Sequence, residues 1–235
     1  MQQVTCETTT VLTKRALEIP PFIVMDVLET AQEMERNGEH VVHLEVGEPD
    51  FDTPDCIKEG CIRALREGKT HYTHSLGLLE LREAICEHYR ERYGVTVSPD
   101  QVLVTSGTSP AMLSLFATLL EKGAEVIISD PHYACYPNFI RFFDGLPVPV
   151  PVDECDGFQY TAEAIREKVS PQTRAILINS PSNPTGNLLS KERMAEIASL
   201  GIPLISDEIY HGLVYGEKEH SILEFTDNAF VLNGF

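Results

Sequence analysis

The sequence predicts an α/β fold: a mostly parallel sheet with helices on both faces, incomplete at its C-terminus. Three observations carry this. From residue 101 onward, short apolar runs alternate with segments of helical period, the pattern of βαβ units. The 235 residues, 43% hydrophobic and 23% charged, suffice for a sizeable core and are ordinary for a globular protein. The closing run AFVLNGF (229–235) reads as a strand with no crossover after it, which would leave apolar sheet surface uncovered. The chain is therefore expected to be incomplete and poorly soluble on its own.

Element by element, the first ten residues are polar and expected to be loose. PPFIVMDVLETAQEMERNG (20–38) opens on prolines and stops at Asn-Gly, punctuation for a first helix. VVHLEVGEPDF (41–51) is an extended run breaking into a turn. TPDCIKEGCIRALREG (53–68) offers Thr53 as N-cap, Pro54 in the first turn and Gly68 as stop. LLELREAICEHYRERYG (78–94) repeats the helical period. The alternation then begins. QVLVT (101–105), EVIIS (125–129), PVPV (147–150), RAILIN (174–179), IPLIS (202–206) and AFVLNGF are the expected strands. PAMLSLFATLLEKG (110–123), YPNFIRFF (136–143), TAEAIREKV (161–169) and SKERMAEIASLG (190–201) are the helices between them.

A net charge of -18, from 36 acidic and 18 basic residues, opposes binding to nucleic acid or to an anionic membrane. No apolar run has the length of a signal peptide or a membrane span, so a cytoplasmic protein is expected. Six cysteines without C-x-x-C spacing favour reduced thiols, with neither a disulfide frame nor a metal site.

In open parallel sheets, ligands bind at the carboxyl ends of the strands. After QVLVT come Ser106, Gly107, Thr108 and Ser109 before Pro110; they suit an anion held at a helix N-terminus, or a plain N-cap. After EVIIS, Tyr133 could stack on a flat ligand or fill core. After RAILIN, SPSNPTG presents Asn183 between Pro181 and Pro184, which limit its drift. After IPLIS, Asp207 ends an apolar strand and needs a cation or hydrogen-bond donors, supplied either by a ligand or by an Arg or Lys nearby. A phosphate cradle, an aromatic face, a rigid amide and a carboxylate together describe a flat phosphorylated pyridine with a phenolic oxygen, which is pyridoxal 5′-phosphate. No histidine is required by this set, and neither G-x-G-x-x-G nor G-x-x-x-x-G-K-[ST] occurs, which disfavours a nucleotide-binding domain.

Six ordered motifs, LEVGEPDFDTP (44–54), HYTHSLGLLELREAI (71–85), VTSGTSPAM (104–112), DPHYACYPNF (130–139), NSPSNPTG (179–186) and SDEIYHGLVY (206–215), closely resemble those of the class I/II aminotransferases, fold type I enzymes that use pyridoxal phosphate. The resemblance runs from about residue 20 to the end. It implies that Gly107, Thr108 and Ser109 hold the phosphate, Tyr133 stacks on the ring, Asn183 and Tyr210 bond the ring oxygen, and Asp207 pairs with the ring nitrogen. It further implies that Gly47, with Asn183, lies at the substrate and that Tyr72 reaches the cofactor phosphate of a partner subunit in a homodimer. Residues 1–45 would then be an arm and helix of a small domain and 46–235 the cofactor-binding large domain, with the C-terminal domain absent. The family uses a Schiff-base lysine after a strand like FVLNGF. None of the seven lysines here stands in that context, so this chain is expected to be an inactive N-terminal fragment of an enzyme moving an amino group from an amino acid to a 2-oxo acid. A C–S lyase or decarboxylating relative on the same fold, or a non-catalytic pyridoxal-phosphate-binding or dimerisation module, are the alternatives.

Overall fold

The structure is a computed structural model and describes residues 12–49 and 51–234; the polar opening expected to be loose lies outside them. The chain divides into two compact units, one spanning Pro21–Thr105 and the other joining the residues up to Pro20 with Ser106–Phe235. Helix α1 (Lys14–Glu18) belongs to the second unit and was not foreseen from the sequence.

The unit Pro21–Thr105 is built on three helices: α2 (Ile23–Arg36), α3 (Asp55–Arg66) and α4 (Leu79–Tyr93). α4 stops where Gly94 turns left-handed at φ +71°, its amide bonding Arg90 O, the conformation glycine adopts without steric cost. The N-cap of α3 is Pro54, without a side-chain bond, one residue later than the Thr53 cap expected. Arg82 of α4 is buried, donating to the carbonyls of Gly77 at 3.3 Å and Pro99 at 2.7 Å. It thereby ties the helix to the segment after it. The run QVLVT does not become a strand among the described residues. Gln101 ends a short 3₁₀ turn and Val104 N donates to Leu76 O at 3.0 Å. An apolar extended run forms a ladder only beside another strand, and no described strand pairs with it.

The second unit is the predicted α/β layer structure. Strands β1 (Glu125–Asp130), β2 (Leu146–Pro151), β3 (Thr173–Asn179), β4 (Leu204–Asp207) and β5 (Ala229–Leu232) form one sheet in the order β2-β1-β3-β4-β5. Every pairing is parallel. Helices α5 (Thr108–Leu119), α6 (Tyr136–Phe142), α7 (Ala162–Lys168) and α8 (Lys191–Ala198) cover it. Because side chains alternate along a strand, the central strands β1, β3 and β4 each feed two cores. Val126 and Ile128 of β1, Ala175 and Leu177 of β3, and Ile205 of β4 pack with Met112, Phe116 and Ile140 of α5 and α6. Ile127, Ile176, Ile178 and Leu204 point the other way, to Ile165, Met194 and Ile197 of α7 and α8. Fully burying one such side chain stabilises by about 1.5–3 kcal/mol before entropy is counted.

The edge strand β2 reads Leu-Pro-Val-Pro-Val-Pro. Leu146 N donates to Ala124 O and Val152 N to Asp130 O, so the even-numbered residues face β1. Pro147, Pro149 and Pro151 therefore fall on the open side, where they remove the donors another strand would pair with.

Two features of this topology position the site. The chain leaves β1 toward β2 on one side and returns to β3 on the other, making the β1/β3 crevice a topological switch point. Asn179, Asp207 and Leu232 are also in register, so β3, β4 and β5 end level with one another.

Candidate active site

A cavity of about 130 Å³ opens at these strand ends, on the face covered by α5 and α6. It is lined by Thr108, Ser109, Tyr133, Asn183, Asp207 and Tyr210, together with Met112, Tyr136, Phe139, Asn179 and Ile209. Six residues singled out in the sequence thus meet at one place, although 102 positions separate Thr108 from Tyr210.

Each is delivered by a local feature. Gly107 is the N-cap of α5 with φ +108° and ψ 172°, a region open essentially to glycine. The helix has no side-chain cap and no acidic residue in its first turn. Its N-terminal amides and dipole therefore present positive potential where Thr108 and Ser109 meet the cavity. Tyr133 follows β1 and sets its ring edge-on to Tyr136, with centroids 5.3 Å apart. Burial pushes its phenol above the usual range.

Asn183 is held from its backbone as well as by its prolines. Its amide donates to Asn179 Oδ1 at 2.7 Å, and Asn179 Nδ2 donates to Asp207 O at 2.9 Å. One side chain at the end of β3 thus ties the SPSNPTG turn to the end of β4. The Asn183 side chain then donates to the Tyr210 hydroxyl at 3.1 Å, so the two groups converge on one point.

Asp207 is the chemically telling residue. Period-2 alternation along β4 sends it to the α5/α6 face and its neighbours Ser206 and Glu208 to the other. It is 4% exposed. Oδ2 accepts from the Tyr136 hydroxyl at 2.7 Å and Oδ1 from Ile209 N at 3.2 Å. Burial pushes its carboxyl above the usual range, while the bonds from Tyr136 and then Ile209 pull it back. Among the described residues no arginine, lysine or histidine pairs with it; the ion pair with a neighbouring strand, one of the two sequence readings, is not made. A buried carboxylate without a cation, facing a cavity, suits a cationic ring nitrogen. With the N-terminus of α5 for a phosphate and Asn183–Tyr210 for a ring oxygen, the donor set fits pyridoxal phosphate.

Sequence reasoning missed Tyr136 and Asn179. Tyr136 was read only as the start of a helix, because nothing in one sequence places its hydroxyl against a carboxylate 71 residues away. Gly47 and Tyr72 belong to the other unit, where Gly47 is exposed and Tyr72 fully so. His132 Nδ1 lies 2.8 Å from Ser129 O and His74 Nδ1 accepts from Leu76 N at 3.1 Å, so each supports a local turn.

The sequence profile described as aminotransferase class I and II matches residues 39–235. The chain belongs to the class I and II aminotransferase family. Members of this family depend on pyridoxal phosphate. The chain is 46% identical over 228 residues to the (5-formylfuran-3-yl)methyl phosphate transaminase of Methanocaldococcus jannaschii, covering 95% of this chain and 59% of that protein. It is 42% identical over 233 residues to a probable aspartate/prephenate aminotransferase of Aquifex aeolicus, with coverage again 95% and 59%. The solved aspartate aminotransferase of Thermus thermophilus with maleate superposes with a TM-score of 0.91 at 38% identity, over 95% of this chain and 60% of that one. This aminotransferase-family chain therefore spans about 59% of the length of the curated relatives it matches. No helix among its described residues is long and apolar enough to cross a membrane.

Proposed function

We propose that this cavity holds pyridoxal 5′-phosphate and serves an aminotransferase acting on an amino acid and a 2-oxo acid. The observation that carries the reading is Asp207, a buried carboxylate with no cationic partner among the described residues, at a switch-point cavity that the N-terminus of α5 also borders. Pyridoxal phosphate, when bound, supplies a protonated pyridine ring able to take up the electrons left on a substrate carbon when its proton departs.

The residues divide the work of holding such a ring. Asp207 keeps the proton at the ring nitrogen, since an anion beside a protonated base raises its pKa. Asn183 and Tyr210 orient and stabilise the ring oxygen through their hydrogen-bonding groups. Gly107, Thr108 and Ser109 bind the phosphate at the N-terminus of α5, and Tyr133 covers a ring face. Gly47 serves the substrate carboxylate, and Tyr72 contributes to the phosphate site of a partner subunit in a homodimer. The relatives' names include aspartate/prephenate and formylfuran phosphate activities, which share transfer of an amino group and differ in the acceptor. Because none of the described lysines lines the cavity, binding by this chain is expected to be noncovalent.

The test is equilibrium binding of pyridoxal phosphate and of pyridoxamine 5′-phosphate to the 235-residue chain, followed by borohydride reduction and intact mass. Saturable binding that is weakened in Asp207→Ala, without a stable reduced adduct, supports the reading. A stoichiometric adduct on one of the seven lysines overturns the noncovalent part, and no binding of either compound overturns the site.

A further inference from the structure

Tyr136 has no part in the roles above, yet it is the side chain in closest polar contact with Asp207. It opens α6, is 2% exposed, and gives its single hydroxyl proton to Asp207 Oδ2 at 2.7 Å. The other carboxylate oxygen is fixed by the Ile209 amide at 3.2 Å. Each oxygen of Asp207 thus has one donor from the protein, and the carboxylate plane is defined from two elements, α6 and the turn after β4. The same Tyr136 ring stands edge-on to Tyr133, so one side chain braces both the carboxylate and the stacking face.

We infer that Tyr136 is a positioning residue for the cofactor's ring nitrogen, its hydroxyl holding the Asp207 carboxylate ionised and aimed into the cavity. The inference rests on the pyridoxal-phosphate reading of this site. Its physical basis is the low polarity around Asp207. A carboxylate buried there loses its hydration and favours the neutral acid. A donor to the ionised form reverses part of that loss. The direction of the bond is fixed because burial also pushes the Tyr136 phenol far above its ordinary range, leaving the proton on tyrosine and the charge on aspartate. The titratable groups that share the cavity with Asp207 are Tyr136 from α6, Tyr133 from the loop after β1, and Tyr210 from the turn after β4. None of them is a cation, so nothing in this set substitutes for the Tyr136 hydroxyl in keeping the carboxylate charged.

The experiment compares the wild-type chain with Tyr136→Phe, which removes one oxygen and keeps the ring. The ligand-free readout is the ¹³Cγ titration of Asp207, assigned with Asp207→Asn. Its midpoint is expected to rise by about one pH unit in Tyr136→Phe, the usual size of a lost hydrogen bond to a charged group. The ligand readout is the affinity for pyridoxamine 5′-phosphate, followed by its fluorescence across pH. Affinity falls about tenfold at neutral pH, and the acid limb moves upward with the Asp207 midpoint. In the Asp207→Asn background the same Tyr136→Phe change loses its effect on affinity. A side chain that merely fills space would lower stability and leave the midpoint and the acid limb where they were, and that result overturns the inference. If Tyr136→Phe does not fold, 3-fluorotyrosine placed at 136 provides the second variant. Its more acidic hydroxyl is a stronger donor and must lower the Asp207 midpoint; an unchanged midpoint overturns the inference equally. Wild-type chain that binds no pyridoxamine phosphate overturns the cofactor reading itself, whereas binding that is indifferent to Tyr136→Phe overturns only the role of Tyr136.

Discussion

Glu208, one residue beyond β4, is wholly buried on the face opposite Asp207 and offers a pH-dependent test of the fold. Its Oε1 accepts from the Ser206 hydroxyl at 3.0 Å, the Ser221 hydroxyl at 3.1 Å and the Ile222 amide at 2.9 Å. Oε2 accepts no hydrogen bond among the described residues, and His211 Nδ1 lies 3.6 Å from it, beyond hydrogen-bond range. Burial, with a smaller contribution from nearby Glu224, pushes the carboxyl up to about 7 from an ordinary 4.5. The folded chain therefore binds this proton more tightly than the unfolded chain. Stability conferred by the protonated form is fully present below about 4.5 and is lost as pH rises through about 7. The gap corresponds to about 3 kcal/mol. Glu208→Gln keeps a carbonyl oxygen for the three donors and never ionises, so it escapes the loss. Its unfolding free energy relative to wild type is expected to improve by about 2–3 kcal/mol between pH 5 and pH 8. Urea unfolding of both chains, followed by circular dichroism at each pH, measures this difference directly. A variant whose offset from wild type is constant across the range would refute the argument.

Other expectations concern the candidate site and its support. Asn183→Ala leaves the Tyr210 hydroxyl without its 3.1 Å donor and should weaken pyridoxamine phosphate binding by roughly tenfold, read by fluorescence titration. Gly107→Ala forces a side chain into φ +108°; an added Cβ would meet nothing within 4 Å, so the cost is backbone strain of about 1–3 kcal/mol without a clash. Calorimetry should show that loss, and phosphate-bearing ligands should lose more affinity in the variant than their dephosphorylated forms do. Phe116→Ala empties a wholly buried position between α5 and the sheet and should cost about 3–5 kcal/mol in chemical denaturation.

Those elements that could be read from the sequence are those specified by local chemistry. Thr161 and Ser190 cap α7 and α8 with their hydroxyls, accepting from Ala164 N and Arg193 N, and the apolar runs of β1, β3 and β4 are buried on both sides as continuous hydrophobic stretches imply. Tyr133, Asn183 and Asp207 were legible because the ends of β1, β3 and β4 are countable from the alternation, whereas Thr108 and Ser109 follow a run that forms no strand among the described residues and Tyr210 was expected from the family resemblance alone. What could not be read depends on partners distant in sequence. Val102–Thr105 has the composition of a strand and lacks a described neighbour to pair with. Tyr136 and Asn179 act through bonds to Asp207 that appear only once β1, β3 and β4 are set side by side.

Asp207 and Glu208 show why burial alone does not mark a functional carboxylate. They are adjacent in sequence, both are almost inaccessible, and burial raises both. The strand's alternation sends them to opposite layers. Glu208 enters a layer in which three donors from β4 and the Ser221 turn converge on one of its oxygens, and it does not line Asp207's cavity. Its neutral form suffices there, so its natural role is to lock the Ser221 turn to the end of β4. Asp207 receives one donor on each oxygen and borders open space. With one described donor on each oxygen, both oxygens keep capacity to accept a further hydrogen bond, and a carboxylate so placed at a cavity gains most from a cation that arrives with a ligand. Exchanging the two environments by moving the register one residue would place a glutamate at the cavity with its carboxylate one methylene further out. Asp207→Glu therefore separates the roles: it preserves charge and burial yet displaces the carboxylate from Tyr136 and Ile209, and it should reduce pyridoxamine phosphate affinity nearly as much as Asp207→Asn does. Retention of wild-type affinity in Asp207→Glu would show that charge in the cavity, without fixed geometry, is enough.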